Sequence, residues 1–308
     1  MTRPGLHISG GLDPVTLAAQ IGMRCDPWQA QVLREPHQRE LLVVHRQGGK
    51  SATAAVAAVH AALYQKALVL VVSPSQRQSQ ELFKTILVLY RSLGRPVPSE
   101  SENALSITLE NGSRVVALPA DAVTIRGYSA AKLLIIDEAA WVSDETLAAV
   151  HPMLAVSNGR MLAMSTPYGR RGWFYEASKS RDWRVTTVTA EQCPRKHPNG
   201  ELVFSPEYLE AARATLGDWT FRQEFLCEFT DVAGMMFRSA DIDAMFDDPA
   251  PKLSAGAGAF GAPLARRALP APRPVRLREP ACRGHLFRDN RCMLCNWVRP
   301  VLAAAGGE

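Results

Sequence analysis

The hydrophobic pattern of the chain alternates short apolar runs with longer segments of mixed polarity. Leucine, isoleucine and valine fill residues 41–44, 68–72 and 133–136, and a further apolar run ends at Ser165. Each run has the length and composition of a buried strand. Helix-favouring segments follow the runs, such as the alanine-rich stretch 52–64. Strands that alternate with helices predict an α/β fold with a parallel sheet, in which the chemistry lies at the carboxyl ends of the strands.

Composition places the chain among globular proteins. It has 308 residues, of which 47% are hydrophobic, and this suits one large domain or two smaller ones. The apolar runs are too short to span a membrane, and the N-terminal segment lacks the apolar middle of a secretory signal. Three of the six cysteines, Cys25, Cys193 and Cys227, are scattered singly. This argues against a disulfide framework and for a reducing compartment.

The positive charge is concentrated in the C-terminal part. Residues 249–308 carry ten lysines and arginines against three acids, which gives this part a net charge of +7. The whole chain has a net charge of +5, so residues 1–248 carry −2. A sequence pI of about 9.0 fits a nucleic-acid partner but does not demand one. The stretch 248–280 is rich in alanine, proline and arginine and has no hydrophobic period, so we expect a flexible linker there.

The sequence HRQGGKS, directly after the first predicted strand, is typical of a phosphate-binding loop. Gly48 and Gly49 would let backbone N–H groups approach phosphate oxygens. Lys50 would reach the terminal phosphates, and Ser51 could ligate Mg²⁺ at the start of the alanine-rich helix. Val44 stands where the usual pattern has its first glycine. The alternative is a chance Gly-Lys-Ser tripeptide at a helix start.

Two acids end the run 133–136. Carboxylates at the end of a buried strand are unfavourable unless they have partners. In a phosphate-loop enzyme, Asp137 would hold Mg²⁺ and Glu138 would polarise the attacking water. A strand that simply ends in solvated acids is the alternative. The loop upstream, at ordinary domain spacing, favours nucleotide hydrolysis.

A third segment, RCDPWQAQVL, precedes the loop. Asp26 and Pro27 are typical of a helix start, as N-cap and first helical residue. Gln29 could contact the edge of an adenine base with its amide. Both interpretations can hold together.

The order of these motifs resembles the ATPase domain of the large terminase subunit of tailed phages, the motor that packages DNA into capsids. The motifs are WQ, an arginine-bearing GKS loop, SPSQ, TIRGYSA, IIDEAAWV and STP, and the later segment RQEFLCEF is similar to the lid of that family. The resemblance covers about 20–247. It implies a P-loop NTPase core over 1–190, with a mainly parallel central sheet flanked by helices, and a lid or linker subdomain over 191–247.

The resemblance also implies roles for individual residues. Arg46 would sense the terminal phosphate in a variant loop, which accounts for the glycine missing at Val44. Arg126 would be presented to the ATP of a neighbouring subunit, with Arg170 and Arg171 as rivals and an ordinary surface arginine as the alternative. The residues implied to bind ATP are Gln29, Arg46, Gln47, Gly48, Gly49, Lys50 and Ser51, and those implied to bind Mg²⁺ are Ser51 and Asp137. The residues implied to act in catalysis are Glu138, Lys50, Arg46 and Arg126. Those implied to couple hydrolysis to movement are Ser165 and Thr166.

The same resemblance implies ATP and Mg²⁺ as cofactors and double-stranded DNA, a portal protein and a small terminase subunit as partners. It implies a homo-oligomeric ring in the cytoplasm of a bacterial host, without a membrane partner. The family continues into an endonuclease domain, whereas this chain enters the linker, so we do not expect cutting activity. The acids Asp241, Asp243, Asp247 and Asp248 are interpreted as a solvated loop rather than a nuclease cluster.

The C-terminal end carries the spacing C-x₂-H-x₆-C-x₂-C. Its members are Cys282, His285, Cys292 and Cys295. Two close pairs with a short spacer can form a tetrahedral Zn²⁺ site, and we expect a zinc knuckle over 281–300 that depends on the metal to fold. Arginines interleaved with Phe287 and Trp297 suit nucleic acid or an acidic partner. The alternative is an unstructured tail with incidental cysteines. The lone pair Cys193 and His197 is interpreted as non-metal.

Three functions remain open at this stage. The first is ATP hydrolysis that drives double-stranded DNA into a procapsid, and the segment RQEFLCEF favours it. The second is a helicase-like, DNA-stimulated ATPase, because the core motifs of the two classes overlap. The third is a non-catalytic prophage remnant with a zinc-binding tail, against which the intact loop and acids argue.

Overall fold

The computed structural model describes residues 8–121, 125–196 and 200–230, together with the backbone of 287–288 and 291–292. The chain divides into two units, Met1–Pro249 and Ala250–Glu308. In the second unit, the two short strands β9 (Phe287–Arg288) and β10 (Arg291–Cys292) pair antiparallel.

Several predicted features lie outside the described residues. They are the linker 248–280, the zinc ligands Cys282, His285 and Cys295, the residue His197, and the acids Asp241, Asp243, Asp247 and Asp248. Only the backbone of Cys292 is described. The zinc knuckle and the linker therefore stay predictions.

The first unit contains the helices and the main sheet. Its helices are α1 (Ile8–Leu12), α2 (Pro14–Gln20), α3 (Pro27–Arg34), α4 (Lys50–Tyr64), α5 (Gln76–Ser92), α6 (Asp144–Val150), α7 (Gly172–Lys179), α8 (Pro206–Leu216) and α9 (Asp218–Glu224). Its strands are β1 (Arg39–Val44), β2 (Leu68–Ser73), β3 (Ser99–Glu102), β4 (Ser106–Leu109), β5 (Arg114–Pro119), β6 (Leu133–Asp137), β7 (Arg160–Ser165) and β8 (Arg184–Val188). No helix in the described ranges is both long and apolar enough to cross a bilayer.

The eight strands form one sheet in the order β3-β4-β5-β2-β6-β7-β1-β8. The six strands from β5 to β8 are parallel, and β3 and β4 add an antiparallel edge. Strand β7 lies between β1 and β6, with Ser165 paired to Val43 and Met164 paired to Asp137. The segments that follow β1, β7 and β6 therefore emerge side by side at the carboxyl ends of these strands.

Both faces of the sheet are buried, which explains why the predicted strands are continuously apolar. Leu42 and Val44 face a core that contains α4 and α5, whereas Leu41 and Val43 face a second core that contains α7. The predicted alanine-rich helix begins at Lys50 rather than at residue 52, because Gly49 is its N-cap. The predicted α/β fold with a mainly parallel sheet flanked by helices is confirmed.

A third, smaller core lies outside the sheet. It joins the segment after β8 to helices α8 and α9, and its members are Ala190, Cys193, Phe204, Leu209, Phe221 and Phe225. This group falls within the predicted lid or at its border, and the described part of that lid ends at residue 230. The boundaries of the lid, 191–247, stay a prediction.

Candidate functional site

The turn between β1 and α4 has two residues in the left-handed backbone region. These are Gln47, with φ of 60°, and Gly49, with φ of 97°. A Cβ atom on Gly49 would lie 2.1 Å from Nη2 of Arg195, so both the backbone and the space require glycine there. A Cβ atom on Gly48 would lie 2.4 Å from Cγ1 of Val44. The buried Val44 side chain therefore fits at the position of the missing glycine because residue 48 has no side chain.

Lys50 begins α4 and turns its ammonium group back into the loop. Its Nζ donates to Val44 O at 2.7 Å and to His45 O at 3.2 Å. Burial lowers the pKa of Lys50, although the charges of Glu138 and Asp137 oppose that shift. The first amides of α4 have no acceptor within the helix, and the helix dipole adds partial positive charge at the same end. The loop can therefore bind an anion such as a phosphate group.

Side chains fix the shape of this loop by binding its carbonyl groups. Val44 O and His45 O accept from Lys50, Arg46 O accepts from Nδ1 of His45, Gln47 O and Gly48 O accept from Arg195, and Gly49 O accepts from Gln29. Every carbonyl from residue 44 to residue 49 thus has a side-chain donor. The loop holds its conformation through these contacts as well as through its glycines.

Gln29 lies in the first turn of α3 and is only 1% exposed. Its Oε1 accepts from the backbone N–H of Asp26 at 2.8 Å. Its Nε2 donates to Gly49 O at 3.2 Å and to Oγ1 of Thr53 at 2.9 Å. The structure places Gln29 against the start of α4, with its amide bonded to protein groups, and its contact with adenine stays a prediction.

Arg46 projects from the loop, and its side chain is 75% exposed. Its backbone N–H donates to Glu224 O at 3.1 Å, and its Nε lies 3.8 Å from Oε2 of Glu224. Glu224 is the last residue of α9. The arginine of the loop is therefore paired with an acid from the segment predicted to be the lid.

Asp137 and Glu138 lie at the carboxyl end of β6. Asp137 Oδ1 accepts from the backbone N–H of Glu138 at 3.0 Å, and Glu138 has a left-handed φ of 49°. Burial, with a smaller contribution from the charge of Glu138, raises the pKa of Asp137 to about 6. The charged form of this partly buried carboxylate would be stabilised by a nearby cation. Ser51, the predicted second Mg²⁺ ligand, is exposed at the start of α4.

Ser165 and Thr166, the predicted coupling residues, are buried at the end of β7. Oγ of Ser165 donates to Oε2 of Glu138 at 3.4 Å. Trp141 lies three residues after Glu138, and Tyr168 lies three residues after Ser165. The two rings stack with their centroids 3.6 Å apart. The end of β7 is therefore connected to the segment after β6 by a hydrogen bond and by an aromatic pair.

The three candidate trans-acting arginines are exposed. Arg126 comes shortly after residues 122–124, which lie outside the described ranges. Nε of Arg170 donates to Phe229 O at 3.0 Å, and the guanidinium of Arg171 lies 5.3 Å from the ring centroid of Tyr168. Neither Arg170 nor Arg171 contacts the loop through these bonds, and the assignment of Arg126 stays a prediction.

The sequence interpretation missed several residues that contact the loop. Arg195 donates to two of its carbonyls and, through Nε, to Oδ2 of Asp26 at 3.2 Å. His45 is 1% exposed, packs edge-on against Phe204, and has a pKa that burial lowers to about 4. Glu224 pairs with Arg46, as described above. No local pattern could identify these residues, because their contacts join distant parts of the sequence.

Metal-binding side chains are not grouped in the described ranges. Among those residues, no set of three His, Cys, Asp or Glu side chains could hold a metal ion. The three cysteines described with side chains, Cys25, Cys193 and Cys227, are free thiols.

Comparison with known proteins supports the fold and identifies a family. Residues 41–196 match the family model described as RNA cytidine acetyltransferase NAT10/TcmA, helicase domain. A search of the curated proteins gave no match.

Solved structures with a similar fold are phage terminases. The large terminase ATPase domain of Thermus phage P74-26 has a TM-score of 0.62 and 20% sequence identity, covering 75% of this chain and 100% of that one. The HK97 bacteriophage large terminase has a TM-score of 0.53 and 18% identity, covering 67% of this chain and 51% of that one. The large terminase of a thermophilic bacteriophage has a TM-score of 0.53 and 12% identity, covering 67% of this chain and 54% of that one.

The two kinds of match agree on a P-loop NTPase fold. The chain spans the whole terminase ATPase domain of Thermus phage P74-26 but about half of the other two large terminases. The predicted resemblance to terminase ATPase domains is confirmed at the level of the fold. The family model matches just over half of the 308 residues. The chain therefore belongs to the family of NAT10/TcmA helicase domains, and its fold is that of the large terminase ATPase domains.

Proposed function

We propose that this protein hydrolyses ATP and uses the free energy to move double-stranded DNA, as a packaging-motor ATPase. The observation that carries the proposal is the arrangement of side chains at the carboxyl ends of β1, β7 and β6. The Lys50 ammonium lies inside the loop, Asp137 and Glu138 lie one strand beyond β7, and Ser165 of β7 bonds to Glu138. This arrangement suits a nucleotide phosphate group on the loop and a water molecule beside Glu138.

The residues present fit a magnesium nucleotide. Asp137 is a partly buried carboxylate whose pKa is raised to about 6, and a divalent cation would stabilise its charged form. Ser51 and Asp137 would hold the Mg²⁺, which would offset negative charge on the phosphates. The large terminase of the thermophilic bacteriophage has been solved in complex with ADP and with ATP-gamma-S. This supports the proposal that the loop of the present chain binds ATP.

Each residue of the site has a distinct part in the proposed reaction. Glu138 accepts a proton from the attacking water, and Ser165 orients its carboxylate. Lys50 leaves its carbonyl partners and donates to the terminal phosphates, where charge develops in the transition state. Arg46 leaves Glu224 and binds the terminal phosphate, while Gln29 contacts the base or supports the loop. Thr166 couples hydrolysis to movement of the lid together with Ser165.

Assembly and partners belong to the same proposal. A ring of subunits would bring Arg126, or its rivals Arg170 and Arg171, to the ATP of a neighbour. A portal protein, a small terminase subunit and double-stranded DNA would be the partners of that ring. The endonuclease activity of complete terminases is not proposed for this chain. The tail, with Zn²⁺ on its Cys and His residues, would contact DNA or protein.

A helicase-like NTPase is the second candidate, and the family match favours it. That match ends at residue 196, whereas the terminase ATPase domain aligns with 75% of this chain. The terminase similarity therefore extends over more of the chain than the family match, which favours the packaging function. The RNA cytidine acetyltransferases named by the family model suggest RNA as the alternative nucleic acid.

The proposal is tested by ATP hydrolysis of the purified full chain alone, with double-stranded DNA, with single-stranded DNA and with RNA. Glu138→Gln is expected to abolish turnover, lowering kcat about a hundredfold or more, while ATP still binds. Glu110→Gln, the same chemical change on an exposed residue between β4 and β5, is the matched control.

The nucleic acid that stimulates turnover decides between the two candidates. Stimulation by double-stranded DNA alone supports the motor, and stimulation by single strands or RNA supports the helicase-like enzyme. ATP binding without hydrolysis under every condition would contradict both and leave the non-catalytic remnant.

A further inference from the structure

The guanidinium of Arg195 joins three parts of the chain. Nη1 donates to Gln47 O at 2.9 Å and Nη2 donates to Gly48 O at 2.8 Å, both in the phosphate loop. Nε donates to Oδ2 of Asp26 at 3.2 Å, at the start of α3. These partners lie 148, 147 and 169 positions away from Arg195, respectively. One side chain therefore holds the loop, α3 and its own segment together.

Arginine suits this position better than any other side chain. Its planar fork presents several N–H donors in a fixed geometry, so it can bind two adjacent carbonyls and a carboxylate at once. The fork lies directly on the loop, since a Cβ atom on Gly49 would be 2.1 Å from Nη2. The side chain is 34% exposed and that of Asp26 is 13% exposed, so solvent screens their charges only partly.

The loop needs support of this kind at Gln47. This residue has a φ of 60°, which is unfavourable for an amino acid other than glycine and is kept only where surrounding contacts enforce it. One of the Arg195 bonds goes to the carbonyl of Gln47 itself, and the next goes to Gly48. The two bonds therefore fix the orientation of both peptide groups in the part of the loop that has the strained backbone.

The backbone of Arg195 is fixed to the small third core. Its carbonyl accepts from the N–H of Val203 at 2.9 Å, and Cys193, two positions earlier, is a member of that core. The core also contains Phe221 and Phe225, which flank the Glu224 that pairs with Arg46. A displacement of this core relative to the sheet would therefore withdraw the Arg195 fork from the loop.

We propose that Arg195 is a positioning residue: it holds the phosphate loop in its anion-binding shape and makes that shape depend on the placement of the third core. The proposal rests on the nucleotide site proposed above and adds a residue to it. Arg195 acts through the loop carbonyls and through Asp26, and it does not contact the phosphates. Nucleotide affinity thereby becomes sensitive to movement of the third core.

Nucleotide binding provides the first test. Arg195→Ala is expected to weaken binding of a fluorescent ATP analogue about tenfold or more, because three charge-assisted hydrogen bonds are lost. Arg195→Lys keeps the charge but not the fork, and its affinity is expected to lie between those of wild type and Arg195→Ala. Arg213→Ala is the matched control, since Arg213 is exposed in the same part of the chain and pairs with Asp218 instead of the loop.

Steady-state kinetics separate this role from a catalytic one. KM is expected to rise in Arg195→Ala while kcat at saturating ATP changes at most a few-fold. Asp26→Asn should produce a smaller loss than Arg195→Ala, and the double variant should resemble Arg195→Ala alone, because both act through one network. A fall in kcat without a change in KM, or fully additive effects, would overturn the proposal.

Hydrogen exchange tests the proposal independently of any nucleotide. In the nucleotide-free protein, amides of the segment 46–51 are expected to exchange faster in Arg195→Ala than in wild type or Arg213→Ala. Amides of the buried strand β6 serve as the internal standard for an intact fold. Unchanged exchange in the loop would overturn the role of Arg195. Failure of wild type to bind ATP would instead refute the proposed function, and the exchange result would still decide the role of Arg195.

Discussion

The hydroxyl of Ser165 donates to the carboxylate of Glu138 across 3.4 Å, at the ends of neighbouring strands. This bond joins the residue expected to activate water to the strand expected to carry the coupling motif. Glu138 itself has a left-handed φ of 49°, and the bond from Ser165 fixes the position of its carboxylate. We infer that Ser165 orients the carboxylate proposed to be catalytic, and that the two residues move together when β7 or its loop shifts.

Ser165→Ala is therefore expected to lower kcat about three- to tenfold with little change in KM, since only the orientation of Glu138 is lost. Steady-state ATPase assays measure this split. Ser178→Ala is the control, because it removes a hydroxyl that donates to Tyr175 O within α7, away from the site. An unchanged kcat in Ser165→Ala would show that Glu138 needs no such support.

The pair formed by Arg46 and Glu224 leads to a second prediction. Oε2 of Glu224 is buried and has the Arg46 guanidinium, 3.8 Å away, as its ion-pair partner. A terminal phosphate would compete with this carboxylate for the arginine. Glu224→Gln is expected to strengthen ATP binding relative to ADP binding by about two- to fivefold. The factor is small because the Arg46 side chain is 75% exposed, so solvent weakens the ion pair.

Arg46→Ala should have the opposite effect and remove the preference for ATP over ADP. Both affinities can be measured by calorimetry on the same preparations. Glu228→Gln is the matched control, since Glu228 pairs with Arg222 instead of the loop. An ATP-to-ADP ratio that does not respond to either variant would remove Arg46 from the role of phosphate sensor.

Much of the fold could be predicted from the sequence because its signals are local. The apolar runs at 41–44, 68–72 and 133–136 correspond to β1, β2 and β6 with ends that differ by at most two residues. Buried parallel strands must be apolar along their whole length, and the chemistry must follow their carboxyl ends. The glycine loop and the two acids could therefore be placed near each other from the sequence alone.

The support of the site could not be predicted in the same way. Arg195 follows a proline in a polar stretch, and nothing near it in the sequence indicates that its side chain binds the loop. The bonds of the Gln29 amide to Gly49 and Thr53 also join separate segments, and the sequence does not indicate them. Such contacts depend on how distant segments pack. A single sequence does not contain that information in any short pattern.

Val44 gives a third prediction, which concerns the missing glycine. The side chain is fully buried in β1, next to the space that Gly48 leaves open. Val44→Gly would restore the common loop pattern but remove this packing and loosen the strand. We expect a loss of about 2–4 kcal/mol in the free energy of unfolding and no gain in ATP affinity.

Urea unfolding measures the loss in Val44→Gly. Val156→Gly is the matched control, because the same side chain is removed from a residue that is 81% exposed. A stable Val44→Gly variant that binds ATP more tightly would contradict the prediction and show that Val44 weakens ATP binding by the loop.

Two titratable groups near the loop, His45 and Asp137, should give opposite pH dependences. Burial lowers the pKa of His45 from 6.5 to about 4, so its contribution to stability is present above pH 6.5 and is lost as the pH falls through 4. Burial raises the pKa of Asp137 from 3.8 to about 6, so its contribution is present below pH 3.8 and is lost as the pH rises through 6. Each shift corresponds to roughly 3 kcal/mol, so the two slopes nearly cancel between these limits.

Single variants should uncover each slope separately. Asp137→Asn removes the titration of Asp137, so that only His45 contributes to the pH dependence. The free energy of unfolding of this variant is expected to rise with pH between about 4 and 6. His45→Asn removes the titration of His45, so that only Asp137 contributes. The free energy of unfolding of this variant is expected to fall over the same range. Urea titrations in steps from about pH 4 to about pH 7, without nucleotide or metal, measure both slopes against wild type. Mg²⁺ with ATP should flatten the falling slope of His45→Asn, because a bound cation favours the charged form of Asp137. A flat profile in either variant would show that the remaining group titrates as it does in the unfolded chain, and a slope of the opposite sign would show that its pKa is shifted the other way.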